Sequence, residues 1–146
     1  MKNTIILLTF LSASFLIKAE DNLLTPKYLN SIRELAFGEI GLACTKSEGE
    51  ILFVKIISKE NPLKQFNRLY DLSKGNNQAQ MYAVIAFYYL DKLRYAKIKN
   101  QYKNRKASIV TMKGCGQSTV DIQVVFKKIE AGLYESYIPQ ELRQEK

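Results

Sequence analysis

Histidine is absent from this 146-residue chain. That gap removes the commonest general base, nucleophile activator and metal ligand. Acid–base chemistry would have to rest on carboxylate, lysine or tyrosine. The close carboxylate groupings, Glu20/Asp21 and Glu48/Glu50, are better explained by a mature N-terminus and by helix capping. No Gly-rich phosphate cradle and no Gly-x-Ser-x-Gly elbow is present, and Lys74-Gly75-Asn76-Asn77 reads as a turn between helices. The expectation is a protein that is not an enzyme and that carries no metal or other cofactor.

Cysteine is nearly absent too, with Cys44 and Cys115 the only two. Without histidine they fall short of the four ligands of a structural zinc site, and neither has the usual activating base. An oxidising compartment would turn two cysteines into one disulfide. The two lie 71 positions apart, and closing such a loop would stabilise the fold by roughly 4 kcal/mol in the chain-entropy model. A structural Cys44–Cys115 disulfide is expected, with two unpaired thiols as the alternative.

Acidic residues are missing from Lys92 to Val120, a stretch with eight cations: Lys92, Arg94, Lys97, Lys99, Lys103, Arg105, Lys106 and Lys113. Tyr95 and Tyr102 are interleaved. Such a block is a solvated helix face or a surface for anionic polymers, anionic lipid or an acidic protein.

The N-terminus supplies the compartment. Lys2 precedes an apolar run from Thr4 to Ile17, and Ala19 stands before the polar Glu20-Asp21. This is the layout of a secretory signal peptide over residues 1–19. The run is short of the ~20 apolar residues that span a bilayer, and the alternative is an uncleaved anchor. Cleavage would remove Lys2 and Lys18 and lower the net charge from +8 to +6. The protein is expected to be periplasmic or extracellular. Nucleic acid is then a poor partner, and membrane contact would come only through the N-terminal segment or weak electrostatics.

Residues 20–138 read as a single domain, followed by a polar tail over 139–146. Thr25-Pro26 opens a helix whose stripe is Leu29, Ile32, Leu35 and Ala36, with Gly38 and Gly41 bending the chain near Cys44. Ser47-Glu48-Gly49-Glu50 has capping-box form and opens ILFVKIIS, a helix although its β-branched content also permits a strand. Asn61-Pro62 starts a helix that stops at Lys74-Gly75. Asn77 with Gln80 caps MYAVIAFYYL, apolar on all sides and so buried by neighbours, with Tyr82, Tyr88 and Tyr89 expected in the core. Asp91 caps KLRYAKIKNQYK. ASIVTM suits one short strand near 107–113, leading to Gly114-Cys115-Gly116. Residues 120–130 fit strand or helix, and the Ser118/Asp121 capping pair with the Ala131-Gly132 stop favours helix. The fold class is mainly α, a small bundle or short solenoid of antiparallel helical hairpins.

The succession SEGE, GNNQAQMYAVIAFYYLD and TMKGC resembles a pattern in small, uncharacterised, exported bacterial helical proteins, over roughly residues 35–116. The resemblance implies a compact helical fold and transfers no catalytic residue. The expected function is a non-catalytic interaction module with a protein partner in the cell envelope, immunity- or inhibitor-like by analogy of size and location. The alternative is an anionic-polymer or membrane-surface binder acting through residues 92–113.

Overall fold

The computed structural model describes residues 24–143. The signal peptide expected over 1–19 and the last three residues lie outside that range. Among the described residues, six α-helices and one antiparallel pair of strands make up the fold. In chain order they are α1 (Pro26–Ser31), α2 (Glu48–Ile57), α3 (Pro62–Leu72), α4 (Asn77–Leu90), α5 (Lys92–Tyr102), β1 (Ser108–Lys113), β2 (Gly116–Asp121) and α6 (Ile122–Glu130). The expectation of a mainly α fold with a short strand holds.

The core is built around α4. Every residue from Ala79 to Phe87 is buried, with Tyr82, Ile85 and Phe87 shut off from solvent. Helices α2, α3 and α5 and strand β1 pack around it, which is why its sequence shows no polar stripe. Each large apolar side chain so buried contributes about 1.5–3 kcal/mol before the entropy of ordering it. Tyr82 and Tyr89 lie in the core as expected, while Tyr88 is half-buried at its edge.

Local signals placed most helix starts. Thr25, Asn61 and Asp91 cap α1, α3 and α5 through their side chains. Four details differ from the reading of the sequence. First, α1 ends at Ser31 instead of running to Ala36; Leu35 is extended, its N–H donating to Val110 O at 2.7 Å. Ile32, Leu35 and Ala36 are buried as their spacing suggested, but strand pairing satisfies the backbone of Leu35 and side chains satisfy its neighbours: Asn76 donates to Ile32 O, and the Tyr82 hydroxyl accepts from Ala36 N. Second, the SEGE capping box is half formed. Ser47 accepts from Glu50 N, whereas the Glu50 carboxylate turns to Gly38 N at 2.7 Å and to Lys46.

Third, the cap of α4 is Asn76 and not Asn77. Its Oδ1 accepts from Ala79 N, and its Nδ2 donates to Leu29 O and Ile32 O, closing the end of α1. Gln80, the other half of the expected box, spans instead from Tyr70 O to the Tyr102 hydroxyl. Fourth, the tail is held as far as Arg143. Ile138 is buried, residues 140–142 form a 3-10 turn, and Arg143 donates to Ile138 O and pairs with Glu135.

The ambiguous stretch from 120 holds both structures in succession. Val120 lies in a strand whose last residue, Asp121, is also the cap of α6, where Ile122, Val125, Phe126 and Ile129 form the buried stripe. Ser118 belongs to β2, not to the cap.

Candidate functional site

The basic block does not fold into one surface. On α5 the buried side is Tyr95, Ile98 and Tyr102. With 3.6 residues per turn, Lys92, Lys99 and Lys103 fall along one flank and Arg94 on the other. Arg94 is held against the protein, its guanidinium 4.9 Å from the Phe87 ring centre, 5.7 Å from that of Tyr70 and within 3.6 Å of Asp71. Lys99 pairs with Glu130, which also accepts from the Tyr95 hydroxyl at 3.2 Å. Burial, reinforced by the Glu130 charge, holds the Tyr95 hydroxyl well above its ordinary pKa. Arg105 lies over the Tyr102 ring at 5.4 Å. Lys92, Lys97, Lys103, Lys106 and Lys113 are exposed without an ion-pair partner among the described residues.

Cys44 and Cys115 are separate, exposed thiols, so the expected disulfide is not formed in this structure. The turns that carry them are nevertheless neighbours. Gly41 N donates to Gly114 O at 2.9 Å, and Ile40 bridges both Thr45 and Gly114. Main-chain pairing thus joins the first loop to the hairpin without a covalent link. Each thiol sits on a tight turn that directs it to solvent: Cys44 has a φ of 49° and Gly114 one of 56°.

Gly114 and Cys115 form the two-residue loop between Lys113 and Gly116. Its first central position needs a positive φ, which glycine adopts freely. Antiparallel pairing then sets Ile109 opposite Val120, Val110 opposite Thr119, Thr111 opposite Ser118 and Met112 opposite Gln117. The far edge of β1 is occupied, because Val110 O accepts from Leu35 N and Met112 N donates to Leu35 O. Main-chain groups alternate in direction along a strand. Since Val110 and Met112 face Leu35, their partners Thr119 and Gln117 face away from β1 as well. The N–H and C=O groups of Gln117 and Thr119 are therefore offered outward, and residues 116–119 are exposed throughout. Leu42, 95% exposed, stands on the neighbouring turn.

This open strand edge was not identified from the sequence. The signal was there: Ile109/Thr111 and Ser118/Val120 alternate on either side of a two-residue turn opened by glycine. No family model, curated protein or solved structure matches the chain, and its function is argued from this geometry.

Proposed function

We propose that this chain is an exported, non-catalytic protein-interaction module of the cell envelope, immunity- or inhibitor-like, which takes an extended segment of an acidic partner as a third strand along β2. The observation that supports this reading is the outward-facing main chain of Gln117 and Thr119. An exposed edge of unpaired donors and acceptors is a template for strand addition, and the hydrogen bonds of that mode supply affinity without a dedicated pocket. The polar side chains of Gln117, Ser118 and Thr119 suit an edge that stays soluble when unoccupied. The chain's net charge of +8 favours an acidic partner. Export rests on the N-terminal sequence.

The test is capture from envelope extract by residues 20–146 at low and moderate salt. One stoichiometric protein, retained at moderate salt, is the expected result. Capture of no protein at either salt would end the proposal.

A second reading, binding of an anionic polymer, is favoured by the unpaired exposed lysines of the basic block. It predicts affinity that falls steeply with salt, since each neutralised charge releases counterions. Replacing Lys97, Lys103, Arg105 and Lys106 by Gln should then abolish heparin binding, and unchanged binding would exclude it.

A further inference from the structure

One face of the hairpin, distinct from its open edge, forms the floor of a groove of about 390 Å³. Thr111 and Ser118 lie opposite each other on that face, with their hydroxyls 2.9 Å apart. Phe37, Tyr134 and Tyr137 make the aromatic wall, the Phe37 ring centre being 5.1 Å from Tyr134 and 4.6 Å from Tyr137. Phe37 also packs on Phe53 and Tyr82 at 5.3 and 5.2 Å, which anchors the wall in the buried core. A platform fixed in this way needs little ordering when a ligand arrives.

Charge completes the site. Lys113 and Lys128 line the groove, no carboxylate does, and neither lysine has an ion-pair partner among the described residues. Glu135, on the segment that carries two of the wall tyrosines, is paired with Arg143. The groove therefore combines an apolar wall of rings tilted about 50° to one another, a pair of hydroxyls able to donate or accept, and two cations without a counter-charge. The size falls within the ~300–1,000 Å³ of small-molecule sites, in which an apolar lining holds the body of a ligand and a few polar groups orient it.

We propose that this groove binds a small ring-bearing organic anion. The ring lies against Phe37, Tyr134 and Tyr137. The anionic group sits between Lys113 and Lys128, and the Thr111 and Ser118 hydroxyls bond to its acceptors. The site is independent of strand addition at β2, because it uses the face of the hairpin and not the edge.

The experiment is a nuclear magnetic resonance titration of the 15N-labelled mature chain with 2-naphthoate and, separately, with 2-naphthylmethanol, which has the same ring and no charge. Saturable shifts confined to residues 111–118, 128 and 133–137 are expected for the naphthoate, with the alcohol binding at least about tenfold more weakly. The Lys113→Gln/Lys128→Gln variant should lower naphthoate affinity to that of the alcohol, while Lys113→Arg/Lys128→Arg keeps it. Lys113 is exposed and Lys128 half-buried, and an unchanged spectrum outside the groove shows that each variant folds. Equal binding of the two probes, shifts centred elsewhere, no saturable binding, or naphthoate affinity unchanged in the Gln variant would each overturn the proposal.

Discussion

A β-carbon built on Gly49 would lie 2.1 Å from Cε2 of Tyr82 and 2.3 Å from its Cζ. Helix α2 therefore rests directly against a fully buried ring. The same tyrosine reaches past α2 to the loop before it. Its hydroxyl accepts from Ala36 N at 2.9 Å, lies 2.9 Å from Ala36 O as a donor and is 3.1 Å from Ser47 Oγ. Burial raises its pKa well above the ordinary tyrosine value. One side chain thus fixes both the spacing of two helices and the path of residues 34–36.

Gly49→Ala is predicted to destabilise the protein by about 1–3 kcal/mol, the usual range for overpacking a filled core. The penalty should shrink by ~1 kcal/mol or more when Tyr82 is replaced by Leu, since residues in contact are not additive. Thermal or denaturant unfolding of the four proteins in the cycle checks this. Additive losses would show that the ring does not limit the approach of α2.

Tyr82→Phe removes only the hydroxyl and leaves the Ala36 N–H without its acceptor. The predicted loss is about 1–3 kcal/mol, the penalty for a buried unsatisfied donor. Hydrogen exchange at Ala36 should accelerate more than exchange at the centre of α4. Unchanged stability in denaturant would contradict this role.

Asn76 permits a cleaner separation of two functions. Asn76→Asp keeps the oxygen that caps α4 but loses the donor to Leu29 O and Ile32 O, whereas Asn76→Ala loses both. The alanine variant is predicted to be less stable than the aspartate by the worth of one N-cap, about 0.5–2 kcal/mol. Equal stabilities in urea would mean that the cap at Ala79 N contributes nothing.

Much of this fold was legible in the sequence, and each failure traces to contacts from elsewhere in the chain. Thr25-Pro26, Asn61-Pro62 and Asp91 worked because a capping residue acts on the amides next to it, so its chemistry is readable in a short window. The stripe Leu29, Ile32, Leu35 and Ala36 misled because burial alone does not distinguish helix from an extended segment: Leu35 is buried through pairing with β1, 75 positions along the chain at Val110. Asn76 was passed over for its neighbour because two adjacent asparagines carry the same signal, and contacts with α1 decide between them. The basic block looked contiguous since a helix hides its periodicity in a linear reading; Arg94 and Lys99 are drawn to Asp71 and Glu130 from distant elements. The edge of β2 became visible only when Leu35 was seen to cover the other edge of the hairpin.

Tyrosines set the alkaline limit of the fold. Burial pushes the hydroxyls of Tyr28, Tyr89 and Tyr134 up to about 12, with Glu48 adding to the effect at Tyr28 and Glu135 at Tyr89. In the unfolded chain these groups lose their protons near pH 10. The unfolded state is then the one that sheds protons first, so stability is full below pH 10 and declines as pH rises toward 12. Melting temperature should fall across that window, with tyrosinate absorbance appearing together with unfolding. Smooth titration of all nine tyrosines near pH 10 in a folded protein would contradict the burial described.

The exposed thiols make a chemical prediction. A water-soluble maleimide should label both Cys44 and Cys115 in the native protein without reductant, because both are exposed. Labelling that requires prior reduction would show the two joined.

Thr119 offers the sharpest test of strand addition at β2. Its N–H faces away from β1, so Thr119→Pro removes an edge donor without breaking the hairpin, a position at which proline is compatible with a strand. The measurement is capture of the envelope partner by wild-type and Thr119→Pro chains with matched melting temperatures. The variant is expected to fold as the wild type does and to lose the partner. Equal capture by both proteins would contradict it.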